Sequence, residues 1–137
     1  MEITNIQAEM LLGQLNTIYQ SLTKNNTPIP CVLSVGLAKN IRKCQAELKE
    51  YFEEKQKLLQ KYEITTDAQI NNTESGQKFL AEFSPLGMEN SGIELHKMKI
   101  TFDELCDMLE NYSGSMVGDI MTLQLICKDE EETKEGE

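Results

Sequence analysis

One uninterrupted stretch, residues 30–62, constrains the fold of this 137-residue chain more than any other. After Pro30 it contains no proline, and its only glycine, Gly36, lies near the start. Side chains recur along it in steps of four and three, which predicts one buried side of a long α-helix. Seven of the eight residues on this side are apolar or aromatic, and the full set is Leu37, Ile41, Cys44, Leu48, Tyr51, Lys55, Leu58 and Tyr62.

A helix of this length needs a partner to cover its apolar side. At about 1.5 Å per residue it forms a rod roughly 45 Å long. Upstream, Thr4 and Gln7 form a capping-box pattern that predicts a helix from there to about Leu22. The polar, proline-bearing stretch 24–30 then predicts a turn, so residues 4–62 are expected to form a long antiparallel helical hairpin.

The first helix of this hairpin is too short to cover the whole rod, since it is only about 27–30 Å long. The far part of the rod must therefore be covered either by later elements of the chain or by another copy of it, and both alternatives stay open. The second alternative predicts a homo-oligomer. Its candidate interface residues are Tyr51, Lys55, Leu58, Leu59 and Tyr62.

The sequence after residue 62 predicts shorter secondary-structure elements. Residues 63–75 lose the helical period and are interpreted as a variable loop, and a short helix is expected from Glu74 to Phe83, ending before Pro85. Residues 91–100 alternate well enough to predict one β-strand.

Thr101 and Glu104 form a second capping-box pattern, which predicts a helix to about Tyr112, and a last helix is expected from Met116 to Cys127. The predicted fold class is therefore α+β and mostly helical. The hairpin is followed by short helices and a small β element in an α/β C-terminal part, residues 76–128, within a single domain spanning residues 1–128.

Charge and composition limit the environment and the partners. The net charge is −10, and half of it lies in the tail 129–137, which is expected to be disordered. This balance argues against binding to a nucleic acid polymer. Without a long apolar run or a signal-peptide pattern, we expect a cytoplasmic protein that does not enter a membrane. Four widely spaced cysteines are expected to be reduced core residues, since cytosolic thiols stay reduced.

The search for catalytic chemistry finds almost nothing. His96 is the only histidine, and no His or Cys cluster has the spacing of a metal site. The glycine-rich motifs that bind nucleotide phosphates are missing as well. We therefore expect no catalytic residue, no metal, no cofactor and no enzymatic activity.

The main concentration of positive charge lies on the predicted long helix. Lys39 and Lys43 are one turn apart, Arg42 lies on the same side, and Arg42 is the only arginine in the chain. Arginine suits bidentate phosphate contacts, Asn40 could add an amide, and the start of a helix favours anions. These four residues are the candidate phosphate ligands. The alternative is an ordinary solvated basic face that pairs with Glu47 and its neighbours.

The long helix also carries a family resemblance. Ile29-Pro30 followed by Leu37-Ala38-Lys39-Asn40-Ile41 is similar to an "LP…IAKNI" signature, and Glu47-Leu48-Lys49 with Tyr51 is similar to the "ELK.Y" that follows it. The chain thus resembles a widespread family of short proteins encoded by phages and prophages of Gram-positive bacteria. The resemblance covers most of residues 3–126. Val32, Val35 and Lys55 depart from the family pattern.

What the resemblance implies is a viral setting in the host cytoplasm more than a defined activity. Small non-enzymatic phage proteins commonly antagonise host defence, and some sequester cyclic nucleotides that act as immune signals. On this hypothesis the basic cluster holds the phosphates, while Tyr51 or Tyr62 of a neighbouring copy stacks on a base. The alternatives are an assembly or chaperone-like protein acting through its long helix, and an inhibitor that binds a host immune protein directly.

Overall fold

The computed structural model of the chain describes residues 2–24, 29–110 and 117–128, and of residues 24, 117 and 118 only the backbone. The predicted acidic tail lies outside these ranges. The helices that the structure describes are α1 Asn5–Lys24, α2 Cys31–Glu47, α3 Lys49–Lys61, α4 Asp67–Asn72, α5 Glu74–Met88, α6 Phe102–Leu109 and α7 Val117–Gln124. The prediction of a mostly helical chain is confirmed. None of these helices combines the length and apolar character needed to cross a membrane.

The predicted β element is wrong. Within the described ranges no strand forms, and the only β-type pairings there are two isolated bridges, Thr4 with Asn90 and Met98 with Cys127. Residues 91–97 are irregular rather than part of a ladder. The alternating pattern reflects side chains that are buried in turn, with Ile93 inside and Glu94 outside, and it does not require a neighbouring strand.

The predicted long helix is present as α2 and α3, which meet at Leu48. The backbone of Leu48 leaves helical geometry slightly, with φ −91° and ψ 2°. Helical hydrogen bonds nevertheless continue on both sides, from Leu48 N–H to Cys44 O at 3.0 Å and from Phe52 N–H to Leu48 O at 2.9 Å. The interruption is therefore local.

The described residues pack into two compact units. The first unit contains those within 1–9 and 44–93, and the second contains those within 10–43 and 94–137. Both α1 and α2 contribute residues to each unit. The single domain expected over residues 1–128 stays a prediction.

In the first unit, α5 folds back onto α3. The rings of Tyr51 and Phe83 lie 5.8 Å apart. At the far end of α3, Lys61 Nζ lies 2.8 Å from a carboxylate oxygen of Glu82, and Tyr62 OH donates to the same oxygen at 2.6 Å. A later element of the same chain thus packs against the far part of the rod. This finding removes the mismatch that motivated a second copy, and the homo-oligomer stays a prediction.

Two further boundaries differ from the prediction in this unit. Residues 63–75 are not all loop, because Thr66 and Gln69 form a capping box that begins α4. The helix α5 does not end before Pro85 but continues through it to Met88. Proline within a helix forfeits one backbone hydrogen bond. In this last part of α5 Gly87 is buried, whereas Ser84, Pro85 and Met88 are exposed.

The second unit has an aliphatic core and a capped helix. Thr101 and Glu104 form the predicted capping box at the start of α6, with Thr101 Oγ1 accepting from Glu104 N–H at 3.2 Å. The predicted end of this helix at Tyr112 lies outside the described residues. The fully buried core residues of the unit are Leu15, Ile18, Leu33, Leu37, Met98, Leu105, Leu123 and Ile126.

The cysteines agree with the sequence prediction only in part. All four are free thiols. Cys44 and Cys127 are buried as expected, and burial raises the pKa of Cys127 to about 11. Cys106 is half-buried, whereas Cys31 is exposed and is not a core residue.

Two glycine-to-alanine variants test the packing of the first unit against a matched control. A Cβ at Gly76 would collide with the backbone carbonyls of Gln69 and Ile70, so Gly76→Ala should lower the free energy of unfolding by more than about 2 kcal/mol. Gly13 lies in α1 with open space around it, so Gly13→Ala should raise that free energy by about 0.5–1 kcal/mol. Urea unfolding of both variants measures the difference. Equal effects would contradict the close approach of α4 to α5.

Candidate functional site

A buried amide on α2 fixes the position of the segment around His96. Asn40 has no exposed surface. Its Oδ1 accepts the backbone N–H of His96 at 2.7 Å, and its Nδ2 donates to the backbone O of His96 at 3.0 Å and to Gly36 O at 2.8 Å. One side-chain amide therefore satisfies both backbone groups of His96. A neighbouring strand would make the same pair of hydrogen bonds, so Asn40 takes the place of the predicted ladder.

The residue one turn before Asn40 makes room for the same segment. Gly36 is buried, and a Cβ there would collide with the side chain of Met98, which is only 1% exposed. The backbone N–H of Met98 in turn donates to Ile126 O at 2.7 Å. Residues 94–98, which we call the docked segment, are thus held by α2 on one side and by the residues that follow α7 on the other.

Four exposed cations lie on α2 and just beyond the docked segment, and three of them, Lys39, Lys43 and Lys99, act electrostatically on His96. Lys39, Arg42 and Lys43 are exposed on α2, and Lys99 is exposed just beyond the segment. Lys43 Nζ donates to the backbone O of Glu94 at 2.9 Å. None of the ion pairs between described residues includes any of these four cations. We call Lys39, Arg42, Lys43 and Lys99 the basic face.

The pKa of the His96 imidazole is affected by the positive charges of this face. The imidazole is half-buried, and within the described part of the chain it makes no hydrogen bond. Desolvation lowers the pKa of His96, and the positive charges of Lys39, Lys43 and Lys99 lower it further. Three cations therefore act on one neutral imidazole. An anion that bound there would relieve their mutual repulsion.

The basic face does not lie at the start of a helix, as the sequence interpretation supposed. Helix α2 begins at Cys31, whose following turn is closed by Leu33 and Ser34 N–H groups donating to Pro30 O, each at 3.0 Å. Lys39 comes eight residues later in the numbering, about 12 Å along the axis. The effect of the helix dipole on anions fades within the first turn, so the side chains alone must supply the attraction.

The other predicted ligand-site residues lie elsewhere or are already engaged. Asn40 is buried in the contact with the docked segment and offers no group to a ligand. Tyr51 is 4% exposed, and its OH donates to Glu9 at 2.6 Å; burial, and then this hydrogen bond, raises the pKa of Tyr51. Tyr62 is half-buried, and its OH is occupied by Glu82. Both tyrosines belong to the first unit, whereas the basic face belongs to the second.

The candidate oligomer interface is also largely occupied within the chain. Lys55 Nζ pairs with Glu9 at 2.7 Å and lies 5.5 Å from the centre of the Phe83 ring. Leu58 and Leu59 are half-buried. A shallow open depression remains on the other side of α3, and its lining consists of Phe52, Glu53, Gln56, Lys57 and Gln60.

Sequence reasoning missed His96 and Lys99 as members of the site. No local pattern shows that residues 94–99 approach α2, since the contact joins positions 56 residues apart. The one available signal was compositional, because His96, Lys97 and Lys99 cluster in a chain whose net charge is negative. Lys97 does not join the face, as its Nζ donates to Leu125 O at 2.7 Å.

The described residues hold no group of three or more His, Cys, Asp or Glu side chains placed to bind a metal ion. Comparison of the chain with protein-family models, curated proteins and solved structures finds no match. The resemblance to short phage proteins therefore stays a prediction from the quoted residues.

Substitution of Asn40 tests the contact that builds the site. Asn40→Ala removes the partner of both backbone groups of His96 and should lower the free energy of unfolding by about 2–4 kcal/mol. Asn40→Asp should cost at least as much, because a buried carboxylate would face the carbonyl oxygens of Gly36 and His96. Urea unfolding measures both, with hydrogen exchange of the His96 amide as a local readout.

Gln45→Ala, at an exposed position of the same helix, is the control and should change stability by less than about 0.5 kcal/mol. A cost for Asn40→Ala no larger than that of the control would show that Asn40 does not hold the docked segment.

Proposed function

We propose that this protein binds a phosphorylated small molecule at the basic face and sequesters it without turning it over. The observation that carries the proposal is a set of four cations with no carboxylate partner among the described residues, in a chain whose net charge is −10. By contrast, Lys55, Lys57, Lys61 and Lys78 each form an ion pair with a carboxylate. A local surplus of positive charge on such a surface favours an anionic ligand.

The chemistry of the face suits phosphate. Arg42 offers a planar fork of N–H donors, while Lys39 and Lys99 offer compact positive charges. Lys43 is already oriented by the carbonyl of Glu94 and keeps further ammonium hydrogens for a ligand. A ligand with more than one phosphate would contact several of these groups at once, as a cyclic oligonucleotide would.

The setting we propose is that of a phage protein acting in the host cytoplasm against an antiviral defence that signals through cyclic nucleotides. Support for this setting comes from the resemblance at Ile29-Pro30, Leu37–Ile41 and Glu47–Tyr51. The base-stacking role predicted for Tyr51 and Tyr62 is not part of the proposal, because their hydroxyls and ring faces are engaged within the first unit.

The alternative function, contact with a protein through the long helix, has one supporting observation. The depression on α3 combines the half-buried ring of Phe52 with the amides of Gln56 and Gln60, a mixture typical of protein contact surfaces. Such a surface suits an assembly factor or an inhibitor of a host immune protein.

Thermal melts against a panel of cyclic di- and trinucleotides distinguish these functions. A ligand of the native state should raise the melting temperature progressively with its concentration. At about 100 times its Kd, the ligand should add about 2.7 kcal/mol to the free energy of unfolding. Arg42→Ala should weaken binding at least about tenfold, since it removes charge-assisted hydrogen bonds to phosphate.

Lys78→Ala is the matched control. It removes one positive charge from α5 in the first unit, where Lys78 forms an ion pair with Glu74 at 3.9 Å, and should leave the ligand shift unchanged. A panel without any shift would overturn the proposed function and favour the protein-contact alternative, as would equal losses in the two variants.

A further inference from the structure

The side chain of His96 has no structural task that the described residues reveal. The docked segment is fixed through the backbone of His96, whose N–H and C=O are both held by Asn40. The imidazole itself has no hydrogen-bond partner among the described residues and is half-buried at the basic face. A half-buried ring whose nitrogens make no hydrogen bond to the described residues can contact a ligand.

We infer, on the basis of the proposed function, that His96 is a ligand-binding residue that donates an N–H to a phosphate oxygen and takes up a proton as the anion binds. The position follows from contacts already described. Lys39 and Lys43 lie next to Asn40 on the surface of α2, and Asn40 bonds directly to the His96 backbone. Lys43 Nζ also contacts the backbone O of Glu94, two residues before His96, so an anion held by Lys43 would lie close to the imidazole.

The proton uptake follows from charge. In the free protein the surrounding cations favour neutral imidazole. A bound anion places negative charge against the same ring and favours imidazolium, so the pKa of His96 should rise on binding. Since protons and the anion then favour each other, affinity should increase as the pH falls through the pKa of liganded His96. A rise of one pH unit in that pKa corresponds to about a tenfold change in Kd.

The other charged groups near His96 do not change the sign of this effect. The charged groups near His96 that lie on α2, and the one that lies just after the docked segment, are the cations of the basic face. Lys97 is directed to Leu125 O. The carboxylate of Glu94 is exposed, and it is not among the groups whose charge shifts the pKa of His96. On the α7 side, the contacts to the docked segment come from backbone carbonyls.

The chain offers an unusually clean measurement, because His96 is its only histidine. NMR of the single imidazole, titrated between about pH 5 and pH 8, gives the pKa of His96 without assignment of any other residue. Trimetaphosphate is the first probe, since its cyclic phosphates stay fully ionised over this range. The titration is repeated with any cyclic nucleotide that raises the melting temperature.

The expected result is a higher pKa of His96 in the presence of the probe, together with a Kd that tightens as the pH falls. His96→Gln keeps an N–H donor but cannot titrate, so it should bind with a Kd independent of pH. The fold should survive this change, because Asn40 contacts only the backbone at this position. Lys78→Ala should behave as the unmodified protein does.

Two outcomes overturn the inference and are distinguishable. If a probe binds but the pKa of His96 does not move, and His96→Gln keeps the same pH dependence, then His96 is not a ligand-binding residue and the proposed function stands. If neither trimetaphosphate nor any cyclic nucleotide binds, both the inference and the proposed function fail.

Discussion

The buried amide of Asn40 is the interaction on which the candidate site depends. It satisfies the backbone N–H and C=O of His96, and thereby holds an irregular segment against a helix where no strand is available. Leaving those groups unpaired in the interior would cost several times what a typical hydrogen bond contributes. The contact also requires Gly36 one turn earlier, because Met98 occupies the space that a Cβ would fill. Together these two small residues determine which lysines meet around His96.

The electrostatic consequence is a patch of charge opposite in sign to that of the whole chain. Cations that repel one another at the surface lower stability slightly unless something compensates them. Desolvation is the main cause of the lowered pKa of His96, and the repulsion from Lys39, Lys43 and Lys99 lowers it further. Binding of an anion would reduce the repulsion, which gives a physical reason for a site here.

The helices were largely predictable from the sequence, since capping boxes at Thr4 and Thr101 and the period along α2 and α3 are local signals.

The strand prediction failed, because an alternating pattern alone cannot show whether a backbone pairs with a neighbouring strand or with a side chain such as Asn40. The cover of α3 by α5 was left open for a similar reason. Continuation of α5 through Pro85 contradicts local preference, and the hydrogen bonds from Asn5 to Leu86 O and Glu89 O stabilise the end of this helix. Within the site, Lys39, Arg42 and Lys43 were predictable from charge, whereas His96 and Lys99 depend on a contact that joins distant positions.

A map of amide chemical shifts on adding the cyclic nucleotide that binds most tightly would test the central claim most directly. The proposed site predicts that perturbations concentrate at residues 36–43 and 94–100, and that they weaken together in Arg42→Ala. Perturbations confined to α3 and α5, with residues 36–43 and 94–100 unchanged, would contradict it.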